Sequence, residues 1–353
     1  MNQANKKELT LLEDDKSTGI ILVWPSVYEN EFFWSGLLRI YYELIVTCLE
    51  SNKSIFLIIK KGRDINNDLK FINRNIDQLV QDKASLFQIF EAEYDDIWIR
   101  DHGPQTLIEK SSGDYYFSTS RFNGYGNKYY YENDKKLSLE LTKKFRKFGN
   151  PYKQTIFEIF NNIIIEPGNI TFNNNLYIIN KSPLVAHNKL NWTAINEILK
   201  ECIEDSLGSE YKIINMKPIS GDDTNGHIDN LIRLESSNYL YYMATNDSGH
   251  PDFALLKDLK EQIMNIDLKN KKIIPIYHDR RDIVRGTNNN ILPFSYLNYI
   301  RIGNLIIMPA NKNTTIEKKN KIRENFKYAE VVFIDSSELL NEKGGLHCCT
   351  MNI

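Results

Sequence analysis

No stretch of this sequence is long and apolar enough to cross a bilayer. Its longest hydrophobic runs, such as IILVW and LIIMPA, are strand-sized, far short of the ~20 residues that a membrane-spanning helix needs. The opening segment, MNQANKKELTLLEDDKSTG, has no apolar core and no small-residue cleavage site; no secretory signal is expected, and a cytoplasmic location is. Charge of one sign is lacking as well. The chain has 44 Lys and Arg against 46 Asp and Glu, a formal net charge of −2. Such a balance gives no overall field for nucleic acid or an anionic membrane, and neither is expected as a partner. Cysteine is scarce: Cys48, Cys202, Cys348 and Cys349, with no CxxC pair and no histidine at zinc-finger spacing. No structural metal is expected, and in a reducing compartment the thiols should be free. Also missing are a Pro/Gly/Ser-rich linker, a break in composition and a legible internal repeat. One domain spanning 1–353 is the expectation.

Against these absences stands a regular alternation. Short apolar runs recur along the chain: GIILVW, SIFLIIK, DIWIR, NIIIE, NLYIIN, YLYYMAT, KIIPIY, NLIIMPA and EVVFID. Gly, Asn, Asp, Pro or charged residues bound them, which is the pattern of buried strands. Between them, GLLRIYYELIVTCLES, LSLELTKKFRKFG, WTAINEILKECIEDSL and DFALLKDLKEQIMNI are amphipathic and predicted helical. The charged EKKNKIRENFK reads as the solvated face of a further helix. Alternating strands and helices define an α/β or intermixed α+β class.

Four polar clusters lie where apolar runs end, a place from which side chains can enter a cleft. In YDDIWIRDHGP, strand alternation puts Asp96, Trp98 and Arg100 on one face and Ile97, Ile99 and Asp101 on the other. A carboxylate and an indole on one face suit a flat cation; Arg100 and Asp101 could equally form a structural ion pair. In IIIEPGNITF, Glu166 ends an apolar run before a Pro-Gly turn. In GDDTNGHIDN, His227 and Asp229 share a face if the segment is extended. The last cluster, GGLHCCTMNI, sets two glycines before Cys348 and Cys349, of which a strand can turn only one into a given cleft. Buried, inert thiols are the alternative there.

Taken together and in order, these segments resemble the agmatine deiminase family, within the guanidino-group-modifying superfamily that also holds arginine deiminases, peptidylarginine deiminases and amidinotransferases. VWP with Trp34 shortly after, DDIWIRDHGP, RFNGYGNK, EPGNI, TNGHIDN, LPFSYLNYI and GGLHCCT match the blocks of that family in sequence. Two departures stand out: Tyr125 where the family usually has Trp, and a C-terminal block that differs around the His-Cys element. The resemblance implies an α/β propeller, five ββαβ modules around a central active-site cleft. It also implies a catalytic set of Cys348, His227, Glu166, Asp96 and Asp229, with Cys349 a bystander. Asp96, Asp229, Trp98 and Tyr125 would bind the substrate.

Implied too are a small guanidinium substrate, no cofactor, no metal and a homodimer. The expected reaction is hydrolysis of agmatine to N-carbamoylputrescine and ammonia through an amidino-cysteine, as in polyamine (putrescine) biosynthesis. Deimination of free or peptidyl arginine, or amidino transfer to an amine, are the alternatives on the same machinery.

Overall fold

A computed structural model describes residues 8–25, 31–63, 65, 76–145, 152–173, 175–235, 238–268 and 271–353; at 31–34, 76–77, 152 and 154 only the backbone is described. The side chain of Trp34 therefore lies outside the described residues.

The fold is mixed α/β, and one unit recurs in it five times. An antiparallel pair of strands is followed by a helical crossover and a third strand, parallel to the second. The pairs are Gln105–Glu109 with Tyr115–Ser118, Ile170–Asn173 with Leu176–Asn180, Ile232–Glu235 with Tyr239–Ala244, and Ile300–Ile302 with Leu305–Ala310. The third strands are Tyr152–Phe157, Glu210–Ile214, Lys272–Tyr277 and Glu330–Asp335. The fifth unit joins the two ends of the chain: Thr350–Asn352 pairs antiparallel with Gly19–Val23, which runs parallel to Ser54–Ile59 and on to Phe87–Glu91. Parallel neighbours need a crossover, and a helix supplies it each time.

The composition of the elements explains the arrangement. Gly19–Val23 is buried at every residue, as expected of a strand covered on both faces. Helix Asp134–Phe145 buries Leu137, Leu141 and Phe145, a four-residue spacing that makes one apolar stripe. Helix Trp192–Lys200 is capped by Asn191, which accepts from the Ala194 N–H, and buries Ile195 and Leu199. In helix Ile316–Asn325 only Ile322 is buried, so the charged stretch does face solvent.

Two runs predicted as strands are not. NIIIE makes a single bridge, Ile164 to Arg121, and leads into a 3₁₀ turn at Pro167–Asn169. Proline cannot continue a ladder, and its fixed φ suits the start of a turn. DIWIR closes into one helical turn, Ile99–His102. Its local bonds explain why: Asp96 Oδ1 accepts from the Trp98 N–H at 2.8 Å, and the Gly103 N–H reaches Ile99 O at 2.8 Å. An aspartate that bonds the backbone two residues on competes with strand pairing. No helix among the described residues is long and apolar enough to cross a membrane.

Candidate active site

The polar segments occupy equivalent places in the five units. Each is a tight turn just ahead of the first strand of its antiparallel pair: Ile99–His102, Pro167–Asn169, Ile228–Asn230, the turn at 296–298 and the turn at 346–349. A turn held by the strand that follows can aim a side chain out of the sheet while its backbone stays fixed. From these turns come Asp101, Glu166, His227 with Asp229, Asn298 and Cys348.

Their side chains meet in one buried centre. Asn298 Nδ2 donates to Cys348 Sγ at 3.3 Å, and the thiol faces Asp229 Oδ2 at 3.7 Å. His347 Nδ1 is 2.8 Å from the same Asp229 oxygen. His227 Nδ1 lies 3.5 Å from Asp101 Oδ1, and its Nε2 lies 3.9 Å from Glu166 Oε2. Glu166 Oε1 pairs with His187 Nδ1 at 2.9 Å, and His187 Nε2 with Asn225 Nδ2 at 2.9 Å. Asp101 accepts from Tyr125 Oη at 2.9 Å and from the Gly168 N–H at 3.1 Å. Tyr125 stands in the left-handed region, φ 57°, which fixes its ring over the centre beside His227.

Segment 94–104 therefore differs from its strand reading. The helical turn carries Asp101 inward to His227, while Asp96 stays on the cavity wall with 27% of its side chain exposed. Arg100 and Asp101 do not pair. Arg100 Nη2 donates to Asn352 Oδ1 at 2.7 Å and its N–H to Cys348 O at 3.1 Å, tying this turn to the nucleophile's own segment. His227 and Asp229 flank the start of a 3₁₀ turn and do not share a strand face. Cys348 lies in the turn before Thr350, so turn geometry, not strand alternation, separates it from fully buried Cys349.

Charge in this centre is unevenly distributed. Burial drives the Cys348 thiol well above its usual range, and the Asp229 and Asp101 carboxylates add to the rise. Burial would lower the pKa of His227, but Asp101, Glu166, Asp229 and Asp222 outweigh it and raise it. Burial would raise Glu166, but the hydrogen bond and charge of His187 and the charge of His227 hold it low. Asp229 is pushed up to about 7, by burial first and then by Asp101. His347 is held neutral by burial and by the charges of Arg100 and Arg233. The thiol is thus held towards its neutral form and the imidazole is biased towards its charged form.

Several polar atoms here are buried without a hydrogen-bond partner: Glu166 Oε2, Asp229 Oδ1 and both ring nitrogens of His227. Buried polar atoms are normally satisfied, so a cluster of unsatisfied ones marks where a ligand's polar groups go. Cys348 and Asp101 line a cavity of about 480 Å³ with Asp96, Trp98 and Tyr125. Its wall carries five carboxylates, Asp95, Asp96, Asp101, Asp223 and Glu342, against two ammonium groups, Lys60 and Lys343.

One group among the described residues has the composition of a metal site. Single ligand atoms of Asp96, His102 and Asp134 lie within 4.8 Å of one another. Burial would lower His102, but Asp134 and Asp96 raise it to about 9, so a proton on the imidazole already balances these carboxylates.

A guanidinium is the ligand such a centre fits: flat, cationic and rich in N–H donors. The chain belongs to the Porphyromonas-type peptidyl-arginine deiminase family, which matches residues 10–353, and is a hydrolase of a guanidino C–N bond. A Listeria monocytogenes relative named "Putative agmatine deiminase 1" is 21% identical over 97% of this chain and 94% of its own. The C. jejuni agmatine deiminase, solved as a Cys-to-Ser variant with substrate bound, has the same fold: TM-score 0.80, 21% identity, covering 100% of this chain and 98% of that one. An Enterococcus faecalis agmatine deiminase superposes with TM-score 0.74 at 14% identity, covering 98% and 95%.

Sequence reading missed Asp101 as a site residue, along with His187, Asn298 and His347. Asn298 lies within the matched LPFSYLNYI block, and His347 immediately precedes the nucleophile. Position alone gave no hint of His187, which helix Lys181–His187 delivers from its last turn.

Proposed function

We propose that the protein hydrolyses agmatine to N-carbamoylputrescine and ammonia, with Cys348 as nucleophile. The observation that carries this reading is the set of unsatisfied buried groups around the thiol: Glu166 Oε2, Asp229 Oδ1 and the His227 nitrogens. Guanidinium N–H groups would satisfy the two carboxylate oxygens and hold the central carbon towards sulfur. We also infer that the sheets of the five units stand as blades around this centre, since each unit contributes one turn to it.

In this reading Asp101 takes the place that the sequence assigned to Asp96. It is the carboxylate at the imidazole, while Asp96 serves the wall. Burial, and after it the Asp229 and Asp101 carboxylates, raise the pKa of the resting thiol. A bound guanidinium offsets their charge, so the thiol ionises when substrate arrives and its proton leaves through the cavity that it lines. The thiolate adds to the guanidinium carbon. His227, whose acidic neighbours favour its charged form, gives its proton to the departing nitrogen; the C–N bond breaks, ammonia leaves, and an amidino-cysteine remains. Neutral His227 then takes a proton from water, which attacks the same carbon. Breaking the C–S bond expels the thiolate, the hydroxyl proton of the adduct leaves as the ureido carbonyl forms, and the thiol regains a proton from solvent.

The test is ammonia release measured in parallel with agmatine, free arginine and a peptidyl-arginine. Agmatine should be hydrolysed with the highest kcat/KM. A higher value for peptidyl-arginine would move the substrate to the end of a chain.

A further inference from the structure

The charged groups on the cavity wall differ in how far they are already committed. Asp95 accepts from the Asn133 N–H and Nδ2, both at 2.7 Å. Asp96 is bonded to Trp98 N and His102, and Asp101 to Tyr125 and Gly168. Asp223 is held by Tyr129 Oη at 2.5 Å, Lys128 Nζ at 3.0 Å and Lys343 Nζ at 3.5 Å. Of the two ammonium groups, Lys343 faces Asp223, and Lys60 stands 5.2 Å over the Tyr94 ring. Glu342 differs from the other carboxylates. Its carboxylate has no hydrogen bond or ion pair to any described residue, yet it is part-buried in the wall.

An uncompensated, partly desolvated carboxylate is costly unless a cation comes to it. Burial raises the Glu342 pKa, as that cost requires. Its position suits the far end of an extended ligand. Glu342 is two residues before Gly344, where the Trp98 ring packs so closely that a Cβ would lie 2.3 Å from it. Trp98 lines the same cavity as Cys348 and Glu342, so its indole offers an apolar surface to a ligand that reaches both.

We infer that Glu342 binds a second positive charge on the substrate and thereby selects a guanidinoalkyl amine over a guanidino acid. The wall offers an uncommitted carboxylate, while of its two cations Lys343 faces Asp223 and Lys60 lies over the Tyr94 ring. The inference rests on the guanidinium-hydrolase reading above.

Ammonia release from agmatine and from butylguanidine separates the two ideas. Butylguanidine has the same reacting group and chain, with a methyl in place of the ammonium. Wild type should prefer agmatine, and Glu342→Gln should lower the agmatine-to-butylguanidine ratio of kcat/KM about tenfold, mainly through the agmatine KM. Glu342→Asp should keep part of the preference, since it keeps the charge. An unchanged ratio in Glu342→Gln, with the variant folded by its thermal transition, overturns the role of Glu342 alone. No ammonia from either compound with wild type overturns the functional reading itself, and this inference with it.

Discussion

Asn298 Nδ2 holds the Cys348 sulfur at 3.3 Å, and Gly345 passes so near Asn298 that a Cβ there would lie 2.3 Å from its Oδ1. The glycine preceding the nucleophile's turn is thus a spacing requirement for the amide that orients the thiol. Gly345→Ala must displace backbone or amide, at a cost of about 1–3 kcal/mol, and should lower kcat more than it lowers the melting temperature would suggest. Asn298→Ala leaves the backbone intact but removes a bond that lowers the thiol pKa. Its alkylation-rate profile should move to higher pH than that of wild type; an unmoved profile would show that the amide does not act on sulfur.

Cys348→Ser should abolish ammonia release while the protein still folds. Cys349 is fully buried, its Sγ donating to Leu346 O at 3.3 Å. It belongs to the apolar core, whereas Cys348 lines the cavity, so only Cys348 can meet a substrate there. Cys349→Ser should keep most of the activity. Loss of all turnover there, in a folded protein, would transfer the nucleophile's role.

Asp101 and Asp96 should separate clearly. Asp101 is buried against His227, so Asp101→Asn should cut kcat by on the order of 10²–10³ and lower the pKa of the imidazole it supports. Asp96→Asn, on the cavity wall, should act mainly on KM. Steady-state kinetics of the two variants decides; the reverse ranking would restore Asp96 to the centre.

Free-enzyme activity should rise towards alkaline pH. The thiol must lose a proton and its pKa is raised, while His227 must keep one and its pKa is raised too. The active form is therefore most populated between the two raised pKa values, which displaces the kcat/KM profile to higher pH than that of an unperturbed thiol–imidazole pair. A non-hydrolysable guanidinium analogue should shift the thiolate's ultraviolet absorbance to lower pH. Without that shift, activation by the substrate's charge is ruled out.

The His102 triad makes a stability claim. The folded-state pKa of His102 is raised from 6.5 to about 9, so protonation favours the native state. This contribution is complete below pH 6.5 and disappears as pH rises through 9; one pKa unit corresponds to about 1.4 kcal/mol, giving an upper bound of about 3 kcal/mol. The melting-temperature difference between wild type and His102→Gln should shrink over that window.

Much of this was legible before any coordinates. The order of the polar blocks carried the reaction class, because a mechanism fixes residue types even where the surrounding sequence drifts. Strand runs such as GIILV and LIIMPA read correctly because burial on both faces leaves a continuous apolar string. The errors share one cause. Asp101, Glu166 and His227 sit on single turns of three or four residues, too short to imprint a period. Alternation assigned to such a turn says nothing of where its side chains point, and the resemblance names Asp96, while the helical turn carries Asp101 to His227. His187 was invisible because its role depends on a packing contact with Glu166.

The pairing of Thr350–Asn352 with Gly19–Val23 has a consequence for how activity is acquired. This seam brings together segments separated by nearly the whole chain, the kind of contact whose loop-closure entropy makes it slow to form. The thiol sits two residues from it. Four units can reach native secondary structure while the nucleophile still lacks Asn298, Asp229 and the Arg100 anchor. Catalysis should then be the last native property to return on refolding, and ammonia release a direct report that the seam has closed.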